Sequence, residues 1–417
     1  MSTTPKQFID EDTSLACVHC GLCLSSCPTY LETGNENDSP RGRIYLMRAM
    51  QNGQLPLDDI TVRHIDLCLG CRACEAACPS GVKYGELLEH TRDHVEREYS
   101  RGWFQTFLRR VAIEHIFPFP WRLKLGLLPA RIAKAINIAW LLPAFARDAL
   151  DLIPDRISSG TLPETSTTNN ETRGRVGFIE GCVMQTMFAD TNRSSVRLLN
   201  NIGWEVLTPP DQGCCGALYA HSGQLEKARE CARRNIAVFE NLKLDTIIIN
   251  AAGCGSTLKD YGTLLANDAE WADRAKAFSS KIKDLTEHLE TSQNSTPSSR
   301  MKVTYHDACH LAHPQGITAE PRALIKMIAG DNFIELPESD VCCGSAGSYN
   351  LTEPEMAARL QKRKIDNIIS TGAEVVVTSN PGCLLQIQAG LKRAGSKTRV
   401  MHIADFLASE TSDNSPD

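Results

Sequence analysis

Over the C-terminal two thirds of the chain, short apolar runs alternate with amphipathic stretches. Residues 175–180, 246–250, 302–306 and 374–378 are compact runs rich in Val, Ile, Phe and Tyr, and they predict buried strands. Apolar residues at helical spacing predict helices over 191–202 and 225–242, and again over 319–328 and 353–370. Strands that alternate with helices predict a parallel α/β sheet. Nearer the N-terminus, Ser39 is placed to cap a helix with Pro40 in its first turn. Ile44, Leu46, Met47 and Met50 give that helix one apolar face before Asn52-Gly53 ends it.

The alternating region is a duplication. Cys182, Cys214-Cys215-Gly216 and Cys254 recur as Cys309, Cys342-Cys343-Gly344 and Cys383, at offsets of 127, 128 and 129 residues. Each cysteine follows a predicted strand end, where ligands usually bind in open α/β sheets. The two sets should therefore face a common region. Cys231 has no counterpart in the repeat and is expected as ordinary helix packing.

Composition sharpens this picture through one residue type. Of 417 residues, 17 are cysteine, too dilute for a small disulfide scaffold. The length suggests two to four domains, and a net charge of −6 gives no sign of a nucleic-acid binder. The N-terminus lacks a basic stretch followed by an apolar run, and no 18-residue apolar stretch occurs; the nearest, 136–146, is broken by Asn137 and Pro143. A cytoplasmic protein is expected, with peripheral attachment to the cytoplasmic face of the inner membrane left open. In that compartment cysteines point to metal.

The first 78 residues hold one cysteine pattern twice. Cys17-x2-Cys20-x2-Cys23-x3-Cys27-Pro28 is followed by Cys68-x2-Cys71-x2-Cys74-x3-Cys78-Pro79. This is the two-cluster ferredoxin run, whose fourth cysteine ligates the other cluster. One [4Fe–4S] cluster is thus assigned to Cys17, Cys20, Cys23 and Cys78, and the second to Cys68, Cys71, Cys74 and Cys27. Structural zinc sites typically use two separated pairs and do not need Cys-Pro at the end. Arg41 and Arg43 either lean toward these clusters or are solvated on the helix face. No glycine fingerprint for a nicotinamide, flavin or nucleotide opens a helix after a strand.

Residues 101–150 carry Arg101, Arg109, Arg110, Arg122, Lys124, Arg131, Lys134 and Arg147 against only Glu114 and Asp148. Among them lie Trp103, Phe104, Phe107, Phe117, Phe119, Trp121, Trp140 and Phe145. A basic, aromatic-rich helix suits an anionic membrane surface or a partner groove; the alternative is a connector packed on its own protein. Residues 158–173 are rich in Ser, Thr, Asn and Glu and are expected as a flexible linker.

Taken together, Cys17-Val-His-Cys-Gly-Leu-Cys-Leu-Ser-Ser-Cys-Pro-Thr-Tyr30, Ser39-Pro-Arg-Gly-Arg-Ile-Tyr-Leu46, Cys68-Leu-Gly-Cys-Arg-Ala-Cys-Glu-Ala-Ala-Cys-Pro-Ser-Gly81 and the paired Cys-Cys-Gly units resemble the iron–sulfur subunits of bacterial glycolate oxidase (glycolate dehydrogenase). The resemblance spans about residues 10 to 405. It implies an electron-transfer subunit, not catalytic alone, that takes electrons from an FAD-containing partner oxidising glycolate to glyoxylate and passes them toward membrane quinone. Equivalent subunits of lactate and anaerobic glycerol-3-phosphate dehydrogenases share the pattern, and a zinc-stabilised assembly scaffold is the reading from a different class. In heterodisulfide-reductase-like relatives each unit ends in Cys-x-x-Cys, whereas Ala251 and Asn380 stand at those positions here. Cys182, Cys214, Cys215, Cys254, Cys309, Cys342, Cys343 and Cys383 thus remain candidates for a third metal centre, zinc, or none.

The expected architecture is multidomain α+β. An α-helical ferredoxin domain (1–100) is followed by a helical connector and linker (101–172) and a duplicated α/β Cys-Cys-Gly domain (173–292 and 293–417).

Overall fold

The computed structural model describes residues 7–103, 106, 110–136, 147, 150–154, 156–168, 171–290, 299–347 and 349–412. Ser39 Oγ accepts the Gly42 amide at 3.0 Å and Pro40 fills the first turn, so helix Pro40–Gln51 begins where its capping residues dictate. Its Ile44, Met47 and Met50 pack on Ile65 of helix Asp59–Asp66 and on Leu87 and Leu88 of helix Tyr84–Glu98. Cys68 and Cys74 belong to the same small core. An N-terminal segment this short buries little apolar surface on its own.

Two sheets follow. The first contains β1 (Thr165–Ser166), β2 (Gly174–Ile179), β3 (Trp204–Leu207), β4 (Ile247–Ile249) and β5 (Ile282–Asp284), in the spatial order β1-β3-β2-β4-β5. The second contains β6 (Val303–Tyr305), β7 (Phe333–Ile334), β8 (Val375–Thr378) and β9 (Arg399–His402), in the order β7-β6-β8-β9. Apart from β1 the neighbouring strands are parallel, and β2, β3, β4 and β5 map onto β6, β7, β8 and β9 in the same order. The duplication in sequence is thus a duplication of topology.

In each sheet the chain crosses to opposite sides after its two central strands. That reversal opens a crevice at their carboxyl ends. Helices Ala189–Asn201, Leu225–Glu240, Ala319–Ala329 and Pro354–Ser370 lie within two residues of their predicted spans at both ends. The structure thus has the multidomain α+β class expected of the sequence.

The two units close on each other. Helix Ala189–Asn201 packs against the C-terminal helix Ile403–Ser412, and Thr191 Oγ1 donates to Asp405 Oδ2 at 2.6 Å. Val176, Phe178 and Leu199 of one unit share a buried cluster with Val303, Val377, Phe406 and Leu407 of the other. Each such large side chain contributes about 1.5–3 kcal/mol by leaving water.

Two expectations change in the connector region. Residues 158–168, expected within a flexible linker, hold β1 antiparallel to β3 and a bridge between Ser158 and Phe188. Polar composition concealed an edge strand, because an edge needs only one apolar face. The basic segment forms helix Pro120–Ala135 after a short π-helical turn at Arg110–Ile116. Phe104, Phe107, Arg109, Trp140, Phe145 and Asp148 lie outside the described residues. Among the described residues no helix is long and apolar enough to cross a membrane.

Candidate metal centres

The two ferredoxin runs fold into matching loops. Backbone φ is positive at His19 and Gly21 in the first and at Gly70 and Arg72 in the second, the second and fourth residues after Cys17 and Cys68 respectively. Left-handed turns at those two positions wind each loop around its cysteines. For non-glycine His19 and Arg72 that conformation costs about 1–3 kcal/mol each, which the surrounding contacts must offset. Cys20 is exposed, flanked by exposed Val18 and Leu22, whereas Cys68, Cys71 and Cys74 are buried.

Cys27 is buried and lies within electrostatic reach of Cys71 and Cys74 as well as of Cys23 in its own run. Burial pushes the Cys71 and Cys74 thiols well up, and the nearby Cys27 and Cys68 add to that shift. Thiolates gathered in so dry a place need a cationic centre to hold them ionised, so this donor set suits an iron–sulfur cluster. Burial also opposes ionisation of Cys68, yet the Arg43 and Arg92 guanidiniums hold it below the usual thiol value. The Gly70 amide, at 3.4 Å, and the Tyr84 hydroxyl, at 3.5 Å, both point at Cys68 Sγ.

The two arginines diverge. Arg43 is fully buried; its Nε donates to the His64 carbonyl at 2.7 Å and its Nη1 to Thr29 Oγ1 at 3.0 Å. Arg41 lies at the rim, paired with Glu36 at 2.6 Å and donating to the His19 carbonyl at 3.1 Å.

The second ferredoxin loop is pinned to both Cys-Cys-Gly units. Arg72 pairs with Asp260, and Arg92 donates to the Cys68 and His221 carbonyls. His310 Nε2 donates to the Gly70 carbonyl at 2.9 Å, and the Tyr349 hydroxyl donates to the Leu67 carbonyl at 2.8 Å. Cys71 packs in one cluster with Cys342 and Cys309. Burial, with the neighbouring His221, pushes His310 down to about 3, so its ring is neutral.

All eight cysteines of the duplicated motif line one largely apolar cavity of about 200 Å³, which Leu69, His221 and His310 also border. Cys182 and Cys214 sulfurs lie 3.7 Å apart. Hydrogen bonds with Cys182, Cys215 and Cys231 hold Cys214 well below the ordinary thiol range. Cys231, expected as ordinary packing, is partly buried against this core and close enough to Cys214 to influence its thiol. It occupies against Gly216 the place that Leu360 takes against Gly344, so the repeat pattern gave no signal for it. In the second unit Cys309, Cys342, Cys343 and Cys383 form a chain of thiol contacts.

Comparison with known proteins agrees with this layout. The 4Fe-4S dicluster domain family matches residues 13–82, and the cysteine-rich domain family matches residues 176–259 and 303–388. A Bacillus subtilis protein named "Probable glycolate oxidase iron-sulfur subunit" is 41% identical, with 96% of this chain and 95% of the relative covered. The Escherichia coli "Glycolate oxidase iron-sulfur subunit" is 34% identical over 94% of this chain and 93% of its own. A crystal structure of a hypothetical protein from Helicobacter pylori shares the fold at a TM-score of 0.55 and 11% identity, covering 92% of this chain and 70% of that one. The chain belongs to the family of glycolate oxidase iron–sulfur subunits.

Proposed function

We propose that this chain is the electron-transfer subunit of a glycolate-oxidising complex. It takes electrons from an FAD-containing partner and delivers them toward a quinone. Cys17, Cys20, Cys23 and Cys78 would hold one [4Fe–4S] cluster, and Cys68, Cys71, Cys74 and Cys27 the other. The clusters supply one-electron transfer when bound. The observation that supports this reading is buried Arg43, whose Nη1 lies 4.0 Å from Cys27 Sγ while its guanidinium also lowers the Cys68 thiol, so one side chain serves the fourth cysteine of the first run and the first of the second.

The chain's own residues set direction. Exposed Cys20, Val18 and Leu22 form an accessible face at the first run, suited to the flavin partner. Cys71 packs in one buried cluster with Cys342 and Cys309. Arg43 keeps a fixed positive charge beside the inner cysteines.

We further propose peripheral attachment through helix Pro120–Ala135. Trp121, Leu125, Leu128 and Ile132 are exposed at helical spacing, and Ile136 extends the stripe just beyond it. Arg122 stacks on Phe119 and Trp121 at 4.3 and 5.1 Å. An apolar stripe edged by basic residues fits an anionic bilayer surface.

The test is anaerobic co-purification with the flavin partner, iron analysis, and reduction of the chromophore by glycolate. Iron at about four atoms per cluster, bleached by glycolate through the partner, supports the reading. Zinc without iron ends it. Bleaching by lactate or glycerol 3-phosphate and not by glycolate transfers the relay to a different substrate.

A further inference from the structure

The two Cys-Cys-Gly units are alike in topology but not in their donor atoms. Three residues before the first cysteine of each motif stand Ile179 in one unit and His306 in the other. Ile179 ends β2 and is fully buried, so the first set has thiols only. His306 follows β6 and is also fully buried.

The tautomer of His306 is fixed by its surroundings. Nδ1 lies 3.0 Å from the Ser339 carbonyl, which can only accept, so Nδ1 carries the proton. Nε2 therefore presents a lone pair, and among the described residues it has no hydrogen-bond partner although it is buried. A buried polar atom left unpaired costs about 1–3 kcal/mol. Such a lone pair is free to act as a donor to an electron-pair acceptor.

What lies there is a pair of thiols. His306, Cys343 and Cys383 bring their ligand atoms within 4.8 Å of one another, all three side chains buried. A metal-ligating histidine usually donates its other ring N–H to a carbonyl, as His306 does to Ser339. Asn380 Nδ2 points at Cys383 Sγ from 3.6 Å, a second hydrogen bond of the kind that orients a ligand.

We propose that His306 Nε2, Cys343 Sγ and Cys383 Sγ form a mononuclear zinc site in the second unit, absent from the first. One nitrogen and two thiolates suit a borderline-soft divalent ion. Zinc–sulfur bonds of about 2.3 Å and a zinc–nitrogen bond of about 2.0 Å would draw the three atoms together by roughly 1 Å. On binding, each thiol loses its proton to solvent and the imidazole stays neutral. Cys343 and Cys383 border the shared cavity, so the fourth position opens toward it. The site does not rest on the electron-relay reading, since it holds whichever way electrons travel.

The test uses the full chain purified anaerobically and dialysed against a mild chelator. Elemental analysis should find one zinc per chain beside the iron. His306→Ala should lose that zinc and leave iron content and visible spectrum unchanged, whereas His306→Cys, which restores a donor, should keep it. Zinc K-edge absorption on the unaltered protein should show a mixed nitrogen and sulfur shell, a readout that no folding defect in a variant can obscure. Wild-type protein without zinc, an all-sulfur shell, extra iron in place of zinc, or full retention by His306→Ala overturns the proposal.

Discussion

Arg43 Nη1 lies 4.0 Å from Cys27 Sγ in an interior where the guanidinium has almost no contact with water. A fixed positive charge there stabilises the more negative, reduced state of a cluster held by Cys27. Arg43→Gln should lower the potential of that cluster by about 40–130 mV, the one-electron equivalent of about 1–3 kcal/mol at an effective dielectric near 20. Arg43→Lys should recover part of the shift. Redox titration followed by electron paramagnetic resonance measures both, and an unchanged potential in Arg43→Gln refutes the role.

Cys27→Ser discriminates the crossover assignment from simple sequential ligation. The damaged cluster should be the one held by Cys68, Cys71 and Cys74, with the signal from the Cys17, Cys20 and Cys23 cluster retained. Loss of the latter signal alone would reverse the assignment.

The glycine after each cysteine pair is required by close approach as well as by conformation. At Gly344 φ is +84°, and an added Cβ would meet the Ala357 carbonyl oxygen at 2.7 Å. Gly372 also has positive φ, +64°, but nothing lies within 4 Å. Gly344→Ala should therefore cost several kcal/mol and Gly372→Ala only about 1 kcal/mol, measured as shifts in thermal midpoint.

Burial pushes Asp284 up to about 6, and its Oδ2 has no hydrogen-bond partner among the described residues. Between about pH 4, the unfolded value, and pH 6, the folded chain holds a proton that the unfolded chain releases. Stability from this group thus falls as pH rises through that window and stays low above it, a change of about 3 kcal/mol. Asp284→Asn should remove that slope. Urea unfolding of wild type and variant across pH 4 to 7 should show a difference that changes below pH 6 and is flat above.

The exposed stripe predicts a surface activity. Replacing Trp121, Leu125 and Leu128 together with Ser should abolish sedimentation with vesicles containing anionic lipid while leaving iron content intact. Undiminished sedimentation would assign the stripe to a protein partner instead.

Much of this was legible in spacing, because spacing is what repeats. The four strands of 175–180, 246–250, 302–306 and 374–378 appear as β2, β4, β6 and β8, since each is buried on both faces and reads as a solid apolar run. β1, β3, β5, β7 and β9 were not read. They are short and incompletely buried, so no continuous apolar run marks them. The cysteine motifs could be found, but Cys231 could not, being one thiol at an otherwise apolar helix position. His306 stood within a predicted strand, and only its orphaned Nε2 distinguishes it from a satisfied core histidine. Arg41 and Arg43, two residues apart, looked equivalent until burial separated them.

Helices Ala189–Asn201 and Ile403–Ser412 use up the open face of each repeat on the other. A solenoid always keeps a face for one more copy, but this pair is complete at two. Its shared interior carries the stability of both halves at once. The inward rims of the halves are then free to differ, as Ile179 against His306 and Cys231 against Leu360 do.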